Sequence, residues 1–191
     1  MIRIASLPMR HARSFATIGA VAALAFGAPQ ATLAQDADPA DVESIDAIIT
    51  AVYDVISGDA GEVRDWDRWN TLFLEEAMLS PTGPTQDGRW GRAIIPARDY
   101  PDRVGATLET NGFVEAEVGR VTERFGNIAH AFSTYVSFRS RADTEPFQRG
   151  INSFQLLYDG ARWWVVSVYW QAETADYPIP EKYVGTIGGE R

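Results

Sequence analysis

Three consecutive segments near the end of the chain, Phe125–Phe138 (FGNIAHAFSTYVSF), Arg149–Tyr158 (RGINSFQLLY) and Arg162–Gln171 (RWWVVSVYWQ), restrict the fold most. Each alternates branched or aromatic residues with smaller or polar ones, and turn dipeptides bound them: Gly126-Asn127 before the first strand proper and Asp159-Gly160 between the last two. Three long antiparallel strands in succession need something to cover one face. The earlier segments supply it. Ser44 is placed to cap a helix from Ile45, in which Ile45, Ile48, Ile49, Val52 and Ile56 recur at helical spacing until Gly58. Asp65 is placed to cap a second, with Trp66, Trp69 and Phe73 on one face. Ala77–Ser80 reads as a short strand, Pro81–Gly88 as turn and Trp90–Pro96 as a second short strand. Tyr100-Pro101 opens a third helix that stops at Asn111-Gly112, and Phe113–Glu123 alternates as a strand. The resulting class is α+β, with the helices packed on a curved antiparallel sheet.

The first 34 residues carry Arg3, Arg10 and Arg13, an apolar run Phe15–Ala28 and small residues ending at Ala34, the pattern of a secretory signal peptide cut near that point. No two arginines are adjacent there, which favours the general secretory route. Cysteine is absent, which rules out lipid anchoring through cysteine and any disulfide, so the exported protein has to be stabilised by its core. Removal of the signal leaves 191 − 34 = 157 residues with a net charge of 14 − 26 = −12. That is one domain, 44–172, behind a linker at 35–43 and ahead of an extended tail at 173–191. Its negative surface repels phosphate backbones, so nucleic acid is not an expected partner. No membrane anchor is expected, and the destination is periplasmic or secreted.

The Asp-Trp-Asp-Arg-Trp run at Asp65–Trp69, the short strand before a loop, and the closing Asp-Gly-x-x-Trp-Trp-Val-Val strand resemble the nuclear transport factor 2-like superfamily, and within it the SnoaL-like (polyketide cyclase-like) group. The resemblance spans residues 44–172. It implies a cone-shaped α+β barrel around an apolar cavity, with homodimerisation through the outer sheet face. It also implies either isomerase, dehydratase or cyclase-like chemistry on a small apolar molecule, or a non-catalytic carrier or dimeric interaction module.

Strand parity then sorts the candidate residues. If Tyr158 pairs with Arg162, then Asn152, Phe154, Trp164, Val166, Val168 and Trp170 face the helices, while Ser153, Gln155, Trp163, Val165, Ser167, Tyr169 and Gln171 face outward. His130, the one histidine of the mature chain, falls with Phe132, Thr134, Val136 and Phe138 on the face read as inner, either as a proton-transfer residue or as a hydrogen-bonded core histidine. Arg149 and Asn152 begin an otherwise apolar strand and are placed to orient a ligand oxygen, or to cap the strand end. Tyr53 lies one helical turn from Ile49 and can turn its hydroxyl inward. Trp66, Trp69, Phe73 and Trp170 offer an aromatic wall, or plain core. Asp65 and Asp67 sit about 200° apart on a helix and cannot act together on one substrate. One histidine and no cysteine make a metal centre an unfavoured expectation, and no organic cofactor is expected because no phosphate-binding loop or nucleophile elbow is present.

Overall fold

The structure is a computed structural model that describes residues 36–185 and the backbone of Gly189–Glu190. The expected signal peptide lies outside the described residues. None of the described helices is long and apolar enough to cross a membrane.

Helices α1 (Pro39–Val42), α2 (Ile45–Ile56), α3 (Trp66–Leu72) and α4 (Tyr100–Asn111) accompany an eight-stranded sheet. Its strands are β1 (Phe73–Pro84), β2 (Trp90–Arg92), β3 (Ile95–Pro96), β4 (Val114–Phe125), β5 (Ile128–Phe138), β6 (Gln148–Tyr158), β7 (Trp163–Ala172) and β8 (Gly189–Glu190). The order is β2-β1-β7-β6-β5-β4-β8, with β3 beside β1. The long pairs β4–β5, β5–β6 and β6–β7 are antiparallel, whereas β1 runs parallel to β7.

The helix starts follow their caps. The Ser44 hydroxyl accepts from the Ala47 N–H at 3.0 Å and the Asp65 carboxylate from the Arg68 N–H at 2.9 Å, each satisfying a donor that a helix N-terminus leaves without a partner. Along α2 the isoleucine stripe is fully buried at Ile48 and Ile49, each contributing roughly 1.5–3 kcal/mol of transfer free energy. Two expectations change near the start. The segment read as a linker contains α1, whose Val42 is buried and whose Asp41 pairs with Arg68 at 2.8 Å. Phe73 is not on a helical face, because α3 ends at Leu72 and Phe73 turns to extended backbone and begins β1, a strand much longer than Ala77–Ser80.

Two face assignments are also corrected. Asp159 accepts from the Ala161 and Arg162 N–H groups, and its own N–H donates to the Arg162 carbonyl. This makes a four-residue loop, so that Tyr158 pairs with Trp163 rather than Arg162. A bulge then shifts the register between Leu156–Val165 and Gln155–Ser167, leaving Val166 as the extra residue. Asn152, Phe154, Val168 and Trp170 keep the inner face, but Trp163 and Val165 replace Trp164 and Val166 on it; both replacements are buried, and Val166 is exposed. On β5 the parity is opposite to the expectation. Ala129, Ala131, Ser133, Tyr135 and Ser137 are buried inward, where small side chains let α2 approach, and the bulkier His130, Phe132 and Val136 stand on the outer face.

Residues 173–185 of the tail form an arm across that outer face. The Ile179 N–H donates to Glu173 at 2.8 Å, Thr134 Oγ1 donates to the Tyr183 carbonyl at 2.6 Å, and the Tyr183 ring meets Phe132 edge-on at 5.0 Å. Part of the surface expected to pair with a second copy is therefore covered by the chain itself.

Candidate active site

Between the helices and the inner face lies a cavity of about 290 Å³. Trp69, Tyr100, Phe113, Tyr135, Phe154 and Trp170 form most of its wall, α4 closes one side with Val104 and Leu108, and its polar groups are Tyr53, Glu115 and Asn152 together with Thr107 and Gln148. Among the described residues no lysine, arginine or histidine lines it.

Packing holds the wall. Trp69 is buried, donates its indole N–H to the Ala97 carbonyl at 2.9 Å, stacks on Tyr100 at 5.1 Å and leans on Phe73 at 4.2 Å. Tyr135 rests over β6 at Gly150, where any Cβ would collide with its hydroxyl and with the Gln171 carbonyl. Neither the Tyr135 nor the Tyr100 hydroxyl has a side-chain or backbone partner among the described residues, and neither is sealed from the cavity.

The polar groups form a directional network. Glu115 lies opposite Ser137 across the β4–β5 ladder, and Ser137 Oγ donates to its Oε2 at 3.0 Å. Asn152 Nδ2 donates to Glu115 Oε1 at 3.1 Å and to the Tyr53 hydroxyl at 3.0 Å. Tyr53 in turn meets Ser133 Oγ at 2.7 Å, and Ser133 donates to Glu117 Oε1 at 2.5 Å. Behind Glu117 the buried Arg120 guanidinium lies 3.3 Å away and reaches Asp46 at the surface.

Burial raises the Glu115 carboxyl to about 7, against the lowering influence of the Ser137 and Asn152 donors. Its surface is partly accessible and forms part of the cavity lining. Near neutrality it can therefore take or give a proton. Burial and then the Glu115 charge push the Tyr100 and Tyr135 phenols upward, keeping both protonated as donors. The raised Glu115 pKa also affects stability. The fold keeps a proton that the unfolded chain releases near 4.5, so this contribution is complete below that pH and is lost as pH rises through about 7. Wild-type stability should fall from pH 5 to pH 8 by up to roughly 3 kcal/mol more than that of Glu115→Gln. Urea unfolding at the two pH values measures the difference, and parallel profiles would remove the buried-acid reading.

Of the residues expected at a site, Tyr53, Trp69, Asn152 and Trp170 converge on the cavity. Phe73 stands behind Trp69, outside the lining. Arg149 is partly exposed and faces Glu173 at 3.5 Å, away from the cavity. His130 is on the outer face with Nε2 3.0 Å from Ser153 Oγ, so the structure does not place it to transfer protons in the cavity. Glu115, Tyr100 and Tyr135 were not anticipated. The signal for Glu115 was present in Phe113-x-Glu115-x-Glu117, two acids sharing a strand face with an aromatic residue.

Neither a protein-family model nor a curated protein matches the chain. Solved structures do. The β subunit of a putative aromatic-ring-hydroxylating dioxygenase from Novosphingobium aromaticivorans superposes with a TM-score of 0.54 at 16% identity, covering 76% of this chain and 95% of that one. An NTF2-like protein with a cystatin-like fold from the same organism gives 0.52 at 16% identity, with 71% and 84% covered. A protein of unknown function with a cystatin-like fold from Nostoc punctiforme gives 0.52 at 11% identity, with 69% and 90% covered.

Proposed function

We propose that this chain, which has the nuclear transport factor 2-like α+β cone fold, is an enzyme that moves a proton at carbon in a small, mainly apolar carbonyl compound. One observation carries the reading: a carboxyl group pushed up to about 7 shares an aromatic-walled cavity with two tyrosine hydroxyls that have no partner among the described residues. Apolar walls bind and desolvate the substrate. Glu115, held by Ser137 and Asn152, removes a proton from the carbon next to the carbonyl. As the C–H bond breaks, its electron pair forms the enolate, and the carbonyl oxygen gains charge that Tyr135 or Tyr100 stabilises by donation. In a β,γ-unsaturated ketone the pair extends into a dienolate, and Glu115 returns the proton to the γ carbon as the double bond moves into conjugation, which is isomerisation. In a β-hydroxy ketone the enolate pair forms the new C=C as the hydroxyl leaves with the Glu115 proton as water, which is dehydration. In the cyclase-like variant of the SnoaL resemblance the enolate carbon attacks a second carbonyl of the same molecule, whose π pair becomes an alkoxide that takes the proton from Glu115. Each step uses only side chains already at the cavity.

The test is hydrogen exchange. Small cyclic and aryl ketones incubated with the protein in D2O should lose α-hydrogen signal by NMR faster than in buffer. His130→Ala should leave that rate unchanged, because the imidazole lies on the other side of the sheet. No acceleration across the ketone panel, or loss of it in His130→Ala, would overturn the assignment.

A further inference from the structure

With Glu117 ionised, the hydrogen-bond chain that leaves the cavity through Tyr53 runs in one direction, and that direction fixes how the cavity presents Asn152. Arg120 is buried and its guanidinium cannot give up its proton; Asp46 meets it at 2.5 Å and Glu117 stands 3.3 Å from its Nε. Burial raises the Glu117 carboxyl, and the Ser133 hydroxyl and the Arg120 charge act against that to favour its ionised form. An ionised carboxylate only accepts hydrogen bonds, so Ser133 uses its single hydroxyl hydrogen on Glu117. Tyr53, 2.7 Å from Ser133 Oγ, must then donate to that oxygen. With its own hydrogen committed, the Tyr53 oxygen can only accept, and the Asn152 group 3.0 Å away must be the NH2. The same NH2 reaches Glu115. What remains is Asn152 Oδ1, which has no partner among the described residues and is not sealed from the cavity.

We infer that Glu117, which does not line the cavity, sets the hydrogen-bonding polarity of the cavity through Ser133, Tyr53 and Asn152. The ligand is then a neutral, mainly apolar molecule that gives an O–H or N–H hydrogen to Asn152 Oδ1 and accepts one from Tyr135. This inference rests on the cavity being the ligand site, and it narrows the substrate class to hydroxycarbonyl compounds or phenols. Carboxylates are disfavoured, because no cation among the described residues lines the cavity and Glu115 would face them. Glu117 is a positioning residue: it acts only by deciding which end of the Asn152 amide the ligand meets.

Binding of 2-naphthol, naphthalene, 2-methoxynaphthalene and 2-naphthoate, followed by fluorescence, tests the inference. 2-Naphthol should bind roughly tenfold or more tightly than naphthalene or the ether, since only it can donate to the otherwise unpaired carbonyl, and 2-naphthoate should bind weakest. Glu117→Gln can present an NH2 to Ser133. At pH 6, where Glu115 holds its proton and can donate to the turned Asn152 Oδ1, the chain then reverses, Tyr53 donates to Asn152, and the Asn152 NH2 turns into the cavity, so the preference for 2-naphthol over the ether should collapse towards equality. Ser133→Ala, with its fold checked by circular dichroism, interrupts the chain without changing charge and should also erode the preference. Equal binding of 2-naphthol and the ether by the wild type would overturn the inference, as would a preference unchanged in both variants or no binding of any probe. Deuterium exchange by the wild type decides the proton-transfer reading separately, so the two can fail independently.

Discussion

Glu115→Gln should lower turnover by about 10²- to 10⁴-fold, the range that a positioned acid or base contributes. The substitution keeps the shape of the side chain and removes its ability to take a proton; its single amide oxygen can accept from Asn152, and its NH2 then faces Ser137, whose hydroxyl can turn to accept. Folding should be retained, so the loss can be read as chemistry. The pH profile adds a second readout. If the carboxylate is the base, kcat/KM falls as pH drops through about 7, where Glu115 gains its proton. Glu115→Gln should abolish that inflection in whatever activity remains. Asn152→Ala should move the inflection upward rather than remove it, because it deletes a donor that favours the charged form while leaving the acid in place. A profile inflecting near an ordinary carboxylate value, or one unchanged by Glu115→Gln, would rule out Glu115 as the base.

The elements legible in the sequence were those specified by local chemistry. Ser44 and Asp65 cap their helices as their side chains require, and the isoleucine stripe of α2 buries as its spacing dictates. The layer architecture followed from them, because an apolar stripe and a half-apolar sheet can only satisfy each other. What failed was parity, which depends on events of one residue. The Asp159 carboxylate lengthens one hairpin loop, a bulge at Val166 reverses the alternation along β7, and another register shift between Glu117 and Gly119 reverses it along β4. None of these alters the hydrophobic pattern enough to be seen beforehand, yet each turns side chains to the opposite face. His130 was assigned to the cavity by such a parity, and Arg149 was given a ligand role from its place at a strand start. Tyr53 and Asn152 were found because helical spacing and an odd polar residue on an apolar face do not depend on the β7 loop. Glu115 went unread because an acid on a strand signifies solvent until the partners that bury it, 22 and 37 residues away, are known.

Trp69→Ala should destabilise the fold by about 3–5 kcal/mol, the cost typical of deleting a large buried aromatic side chain. The indole is nearly inaccessible, its N–H is bound to the Ala97 carbonyl, and its two faces serve Tyr100 and Phe73. Truncation therefore opens a void, leaves a backbone acceptor short of its partner and releases the Tyr100 ring from its stack. For a domain of this size the loss corresponds to a fall in Tm of roughly 6–20 °C, measurable by thermal unfolding. Trp69→Phe, which keeps a ring between Tyr100 and Phe73 but loses the hydrogen bond, should cost less than half as much. The two variants separate the roles of Trp69 as core and as cavity wall. A purely lining residue could be truncated with little effect on Tm and a large effect on ligand affinity. A residue that carries the helix α3–sheet junction must show the Tm loss even when the cavity is empty. The packing of Trp69 against Phe73 at the start of β1 places it in the second class, so the cavity wall here is also part of the structure that keeps Glu115 out of water.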